Sequence, residues 1–288
     1  CIRDSILLVQ AILWGSAFAG IKIGLESLDA GYLTLLRHLV ASLCFVPFLL
    51  FTKSRLFPNW HDVPFFFFIG FLGYSVYHTA LNYGELNVSA GTASLIIATA
   101  PAFTAIVAFF VLGDKLPVLG WTGILLSFTG VVLIVLGDNP ELGFNGYALL
   151  ILLSAIVTAF YATLQRPLFK TYKAAEVTAF ATWAGTVPML IFLPGFLEGL
   201  KDSSPNSLLA GVYIGIFPSA IAYTLFAYAI SKLPITNIAS FLYTVPVFGL
   251  LFSWLLLGEV PTWLTVVGGL IAIAGIIVVN RSRQTIRN

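Results

Sequence analysis

Charge is the scarcest feature of this sequence. Fourteen Lys and Arg and twelve Asp and Glu make up 9% of 288 residues, where a soluble domain carries about 25%. With 59% of residues hydrophobic, so few charges cannot clothe a water-facing shell. Lipid is the solvent left for the apolar surface. The net charge of +2 offers no basic patch, which excludes the electrostatic footprint of a nucleic-acid binder. Cys1 and Cys44 are the only cysteines and form neither a disulfide framework nor a CxxC metal spacing. His38, His61 and His78 are the only histidines and match no HExxH or other ligand spacing. No phosphate loop or nucleotide fold is present. These absences argue against an intramembrane enzyme, a metal centre and an ATP-driven machine, and no cofactor is expected.

What is present is a succession of apolar runs, each about the 20 residues that a spanning helix needs. Ten are expected: Ser5–Gly24, Ala30–Phe51, Val63–Tyr83, Ser89–Leu112 and Val118–Leu136, then Gly146–Gln165, Ala174–Leu193, Leu208–Ser231, Asn237–Leu257 and Thr262–Val279. They break at turn and charge clusters such as Lys53-Ser54-Arg55, Gly113-Asp114-Lys115 and Gly137-Asp138-Asn139-Pro140. The runs are continuous, whereas the strands of a barrel alternate over about 10 residues. The fold class is therefore an all-α integral membrane protein. Arg3 before Ile6–Trp14, with Ala17-Phe18-Ala19 after it, has the outline of a leader peptide. The same stretch serves equally as a first helix, which is the expectation.

Basic residues orient the chain. With the N-terminus placed in the cytoplasm, Arg3, Lys53, Arg55, Lys115, Arg166, Lys170, Lys173, Lys232, Arg281, Arg283 and Arg287 fall inside. That is 11 of the 14, a strong positive-inside bias. Adding or losing one helix would scramble the sorting. A multi-pass protein of the cell's inner membrane, with both termini cytoplasmic, is expected.

The sequence also repeats itself. Ala100-Pro101-Ala102-Phe103 returns 145 residues later as Val245-Pro246-Val247-Phe248. The same shift carries Leu112-Gly113-Asp114 onto Leu257-Gly258-Glu259, Gly123 onto Gly268 and Gly130 onto Gly275. A shift of 146 carries Tyr77 onto Tyr223. The units are residues 1–140 and 141–288. Each holds five helices, an odd number, so the second enters the membrane upside down. Inverted repeats give one packing two near-equivalent states, open to opposite sides, which is the geometry of a secondary carrier.

At these residues the chain resembles the EamA type of the drug/metabolite transporter superfamily. Pro101 with Leu112-Gly113-Asp114, Pro246 with Leu257-Gly258-Glu259, Trp14-Gly15-Ser16, Leu36-Arg37 and the glycine-rich fifth and tenth helices all match its pattern. The resemblance implies export of a small metabolite, with amino acids or related amphipathic compounds foremost. Tyr77-His78 is similar to a pair found in aromatic amino-acid exporters of this group. A lipid or drug flippase of the same architecture is the alternative. The expected partners are a small-molecule substrate and the bilayer, and a monomer is the expected state.

Polar side chains are costly in hydrocarbon and should line an internal path. Helical spacing selects Trp14, His78, Asn82, Tyr161, Gln165, Tyr223 and Tyr243 as substrate-binding candidates, and Tyr77 joins them as an apolar ring with a hydroxyl handle. Arg37, about 10 Å deep at 1.5 Å per residue, joins them as a partner for carboxylate or phosphate. It could equally be a buried structural pair with Glu26, Glu85 or helix-end carbonyls. Pro101 and Pro246, expected near helix centres, are hinge candidates. Gly123, Gly130, Gly268 and Gly275 are expected to permit close helix packing. The run Phe65–Phe68 is expected to face lipid.

Overall fold

A computed structural model describes residues 2–112, 116–138, 146–232 and 242–287. They are mostly helical, with no strand among them. The principal elements are α1 (Ile2–Leu25), α2 (Ala30–Phe51), α3 (Trp60–Gly84), α4 (Ala90–Phe110), α5 (Val118–Asp138), α6 (Gly146–Lys170), α7 (Ala174–Phe192), α8 (Pro205–Lys232), α9 (Val245–Leu257) and α10 (Trp263–Arg287). Among the described residues, nine helices are long and apolar enough to cross a membrane. The exception is α9, described over 13 residues. The start expected for it, at Asn237, lies outside the described residues, as do Asp114, Thr236 and Ser240. A short helix, Phe196–Asp202, joins α7 to α8.

Local chemistry sets the helix ends. The Asp29 side chain accepts the Gly31 N–H at 2.8 Å and starts α2. Ser204 does the same for α8 by accepting from Ser207 N, with Pro205 at the first helical position, where its missing N–H costs nothing. Gly258, at φ +68°, ends α9 in the left-handed conformation that favours glycine. The Glu176 carboxylate accepts the Lys173 and Arg55 N–H groups, each at 2.8 Å, and so fixes the start of α7 to the loop after α2.

The helices pack in reciprocal pairs. α5 lies antiparallel along α10: a Cβ on Gly130 would sit 2.4 Å from Ala272 N, and one on Gly275 would sit 2.5 Å from Gly123 O. The four glycines expected to allow close packing form this seam. α2 and α7 are also antiparallel, joined where Trp183 Nε1 donates to Ser42 O at 3.1 Å. α1 packs on α8 and α9, and α6 packs on α3 and α4. A second close approach joins Gly70 of α3 to Gly185 of α7, where a Cβ on Gly185 would lie 2.6 Å from Gly70 O.

Two departures from regular α-helix fall at matching places. Phe71–Val76 in α3 and Gly215–Ala222 in α8 are π-helical, and the α-helix resumes at Tyr77 and at Tyr223. Such wide turns commonly mark functional positions. The phenylalanine run divides. Phe67 and Phe68 are exposed, but Phe66 is 1% exposed and packs its ring on Tyr172 and Phe180, with both centroids 5.3 Å away. Four consecutive helical residues point around the whole helix, so one of them faces the neighbouring helix.

The end of the bundle where α1 begins is termed proximal, the other distal. At the distal end, the start of α4 is tied to its neighbours by hydrogen bonds. Four N–H groups there have no partner within the helix, and each has an acceptor. Asp138 Oδ2 takes Ser89 N at 3.3 Å, Glu259 Oε2 takes Ala90 N at 3.0 Å, Ser253 Oγ takes Gly91 N at 3.2 Å, and Ser89 Oγ takes Thr92 N at 3.2 Å. Ser253 Oγ in turn donates to Glu259 Oε2. Here residues of the C-terminal half cap a helix of the N-terminal half.

Candidate functional site

A cavity of ≈ 140 Å³ lies inside the bundle, lined by side chains from seven helices and the turn leading into α9. Trp14, Tyr77, Tyr161, Tyr223 and Phe226 give it aromatic walls, and Thr104, Thr158, Asn280 and Arg166 give it polar points. Its lining comes from the middle of α1 and α4, Tyr77 in the distal half of α3, the proximal halves of α6 and α8, and the proximal ends of α9 and α10. The capped start of α4 is at the distal end.

Four of the nine binding candidates line this cavity. Trp14 Nε1 donates to Pro218 O at 3.3 Å, a carbonyl within the π-helical stretch of α8. The Trp14 ring packs edge-on to Tyr223 at 5.2 Å and tilts against Phe226 at 4.8 Å. Tyr161 is held against Gly73, where a Cβ would come within 2.4 Å of the Tyr161 ring, and its hydroxyl pairs with that of Tyr74 at 3.1 Å. Tyr77 and Tyr223 complete the wall.

Arg37, His78, Asn82, Gln165 and Tyr243 are not among the lining residues. Arg37, 2% exposed, donates from Nε to Ser219 Oγ at 2.6 Å. Its Nη1 is buried without a partner, and Tyr223, Tyr77 and Glu85 lie near it. Ser219 was not among the partners expected for it. His78 is fully buried behind Tyr223, whose hydroxyl lies 3.4 Å from His78 Nε2. The Nδ1 atoms of His38 and His78 bond the Thr34 and Tyr74 carbonyls at 2.9 and 3.1 Å. A carbonyl only accepts, so Nδ1 carries the hydrogen in both rings. Asn82 donates to Thr34 Oγ1 at 2.8 Å. Gln165 is fully buried with both amide atoms unpartnered. Tyr243 reaches the cavity only through Asn280, which donates to its hydroxyl.

Pro101 lies at mid-span in α4, and the start of the span in which Pro246 was expected to be central lies outside the described residues. Pro101 follows a two-residue break in α4, Ala98–Thr99, as the second residue of the helical segment Ala100–Leu112. Pro246 is the second residue of Val245–Leu257, after a turn at Tyr243–Thr244. At such positions proline starts a helix instead of kinking one, because no N–H is required of it there. Ala100 and Val245, 145 residues apart, both line the cavity, so two helix N-termini open onto it.

Sequence spacing missed several members. His38 lies with its ring centroid 4.7 Å from that of His78, and Tyr74, fully buried, contacts His38, His78, Tyr161 and Tyr223. The four-residue step from Tyr74 to His78 was the signal for Tyr74; His38, from another helix, carried none. Phe226 and Asn280 also escaped notice, the first as ordinary core and the second as a helix-end polar residue. Among the described residues no group of three His, Cys, Asp or Glu is placed to hold a metal.

A second groove, ≈ 370 Å³, opens on the outer surface between α3, α6 and α7. Phe71, Val76, Leu150, Leu153, Pro188 and Ile191 dominate its walls.

An all-helical bundle of membrane length, with a polar and aromatic cavity inside, is the construction of a multi-pass membrane transporter. The family model described as the EamA-like transporter family matches residues 3–136 and again 145–281. The chain belongs to that family, within the drug/metabolite transporter superfamily. It is 38% identical over 264 residues to the uncharacterized transporter YdfC of Bacillus subtilis, covering 92% of this chain and 86% of that one. It is 34% identical over 279 residues to a probable terminal-alkyne amino-acid exporter of Streptantibioticus cattleyicolor, covering 96% and 92%. The uncharacterized inner membrane transporter YedA of Escherichia coli is 29% identical over 86% of this chain and 80% of its own. A solved crystal structure superposes at a TM-score of 0.69 over 99% of both chains with 19% identity, a likeness of fold alone.

Proposed function

We propose that this protein is a secondary or facilitative exporter of a small amphipathic metabolite, with amino acids and their relatives as the first class to test. The observation that carries this reading is the cavity, which draws its walls from both family-matched segments. Trp14, Tyr77 and Thr104 come from the first, and Tyr161, Tyr223, Val245 and Asn280 from the second. The reading places ten spans in the bilayer as two inverted halves, residues 1–140 and 141–288. It puts both termini on the cytoplasmic side of an inner membrane. Reciprocal packing supports the inversion. α1 meets α8 as α6 meets α3, and the self-pairs α2 with α7 and α5 with α10 run antiparallel, as a two-fold axis in the membrane plane requires. In this reading the structure is the state open toward the cytoplasm, supported by a lining drawn largely from proximal segments and by the hydrogen bonds that tie the start of α4 at the distal end. Alternating access follows when the tie at α4 opens and the proximal ends close. Pro101 and Pro246, each at a break beside the cavity, are where the helices would bend. Behind the wall, His78 packs on Tyr77 and Tyr223 and would position them, with Arg37 and Asn82 in the layer behind; Gln165 and Tyr243 would act from outside the lining, Tyr243 through Asn280.

The relative named as an amino-acid exporter supports the substrate class. The lipid alternative draws on the outer groove, whose apolar walls suit an acyl chain. Proteoliposomes loaded with labelled amino acids, organic acids and a fluorescent phospholipid decide between them. Solute efflux abolished by Tyr223→Ala supports the exporter. Lipid translocation without solute flux supports the flippase. Folded protein moving neither would end the carrier reading.

A further inference from the structure

The charges around the cavity are one-sided. Its polar lining includes Arg166 and no Asp or Glu among the described residues. Behind Tyr77 and Tyr223 stands Arg37, buried, with Nη1 unpartnered. Neither Arg37 nor Glu85, which lies near it, is part of the lining. Two helix N-termini, at Ala100 and Val245, meet the cavity, each heading a 13-residue helix. Each brings the positive end of a helix dipole, and N-termini of interrupted helices suit anionic groups of a substrate. Thr158, Asn280 and Tyr223 add neutral donors. The rest of the wall is apolar: Trp14, Phe226, Ile97, Ile230 and Leu242.

From this we infer that the cavity binds an organic carboxylate with an apolar or aromatic body, and that it reads the carboxylate while leaving an α-amino group unread. The inference rests on the carrier reading for its setting and deepens it. An ammonium group finds hydroxyls and amide oxygens there but no carboxylate. The aromatic faces attract a cation, but the Arg166 guanidinium and two helix dipoles of the same sign in the same wall oppose it. An amine therefore adds little to binding, and a lone amine is disfavoured.

Three probes share one body and separate the two groups: phenylalanine, 3-phenylpropanoate and phenethylamine. Their binding to the purified full-length protein in nanodiscs is measured by calorimetry, and flux is measured separately in proteoliposomes. A hydrogen bond to a charged group contributes enough to change affinity by about ten- to a hundredfold. 3-Phenylpropanoate should therefore bind within about threefold of phenylalanine, and phenethylamine at least about tenfold more weakly. Thr158→Asp, which places a carboxylate in the wall, should reverse the order in favour of phenethylamine. Phenethylamine binding as tightly as 3-phenylpropanoate in the unaltered protein overturns the inference. So does binding of phenylalanine without binding of 3-phenylpropanoate, or no change of order in the Thr158→Asp protein. If other solutes are carried but none of the three binds, the inference fails and the carrier reading stands. If the carboxylates bind but nothing is transported, the carrier reading fails and the ligand class survives.

Discussion

The distal tie at α4 makes the sharpest prediction. Glu259 accepts the Ala90 N–H at 3.0 Å and the Ser253 hydroxyl, and that hydroxyl in turn accepts Gly91 N–H at 3.2 Å. Glu259→Ala removes the carboxylate and leaves the Ala90 N–H without its acceptor. A hydrogen bond to a charged group contributes about 1.5–3 kcal/mol. The loss of negative charge at a helix N-terminus adds about 0.3–1 kcal/mol. The sum, about 2–4 kcal/mol, is a factor of roughly 30 to several hundred in the closed-to-open equilibrium at this end. Glu259→Gln keeps an oxygen acceptor and loses the charge, so its effect should be smaller. Hydrogen exchange resolved at residues 89–92 in nanodiscs is the assay. In the Glu259→Ala protein the amides of Ala90 and Gly91 should exchange faster by that factor. Amides of the α5–α10 seam, which Glu259 does not touch, should be unchanged. Exchange within about twofold of the parent, or faster exchange spread over the whole bundle, would refute the idea that a carboxylate of one half holds the other half closed.

Three further outcomes follow from packing and partners. Gly130→Leu drives a large side chain into the Ala272 backbone, where even a Cβ would sit 2.4 Å from nitrogen. It should cost about 1–3 kcal/mol or more and lower the unfolding midpoint in SDS titrations, whereas Gly146→Leu, with open space at its Cβ, should not. Arg37→Ala strands the Ser219 hydroxyl and should lower the thermal midpoint; Arg37→Lys should recover stability more fully than ligand binding, because lysine restores charge but not the planar fork. Tyr172 donates to Asp62 Oδ2 at 2.5 Å and accepts from Asn59 N at 2.9 Å. Tyr172→Phe should free the loop between α2 and α3, by about 1–3 kcal/mol, detectable as faster proteolysis at Arg55 with transport intact.

Membrane residence and the register of the apolar runs were legible in the sequence because each depends on composition over about 20 residues. So was the glycine seam of α5 and α10, since glycines recurring in both halves leave little else for them to do in lipid. The site was legible only in part. Trp14, Tyr161 and the related pair Tyr77 and Tyr223 reach the cavity, because aromatic residues with a polar handle suit a wall that is half apolar. The seven-residue steps and three-or-four-residue spacings that suggested His78, Asn82 and Gln165 identified a buried face without saying what covers it. Helical periodicity reports which side of a helix is turned inward, and both a cavity wall and a dry contact lie on that side.

What the sequence determined by itself was the solvent of this protein and its duplication, because hydrophobicity and self-similarity are properties of the chain alone. Which polar groups meet was decided only by tertiary structure. Arg37 and Ser219 are 182 residues apart and bond at 2.6 Å; Ala90 and Glu259 are 169 apart and meet at the distal end. Contacts at such separations depend on the angles at which helices cross, and those angles are set by packing along the whole interface.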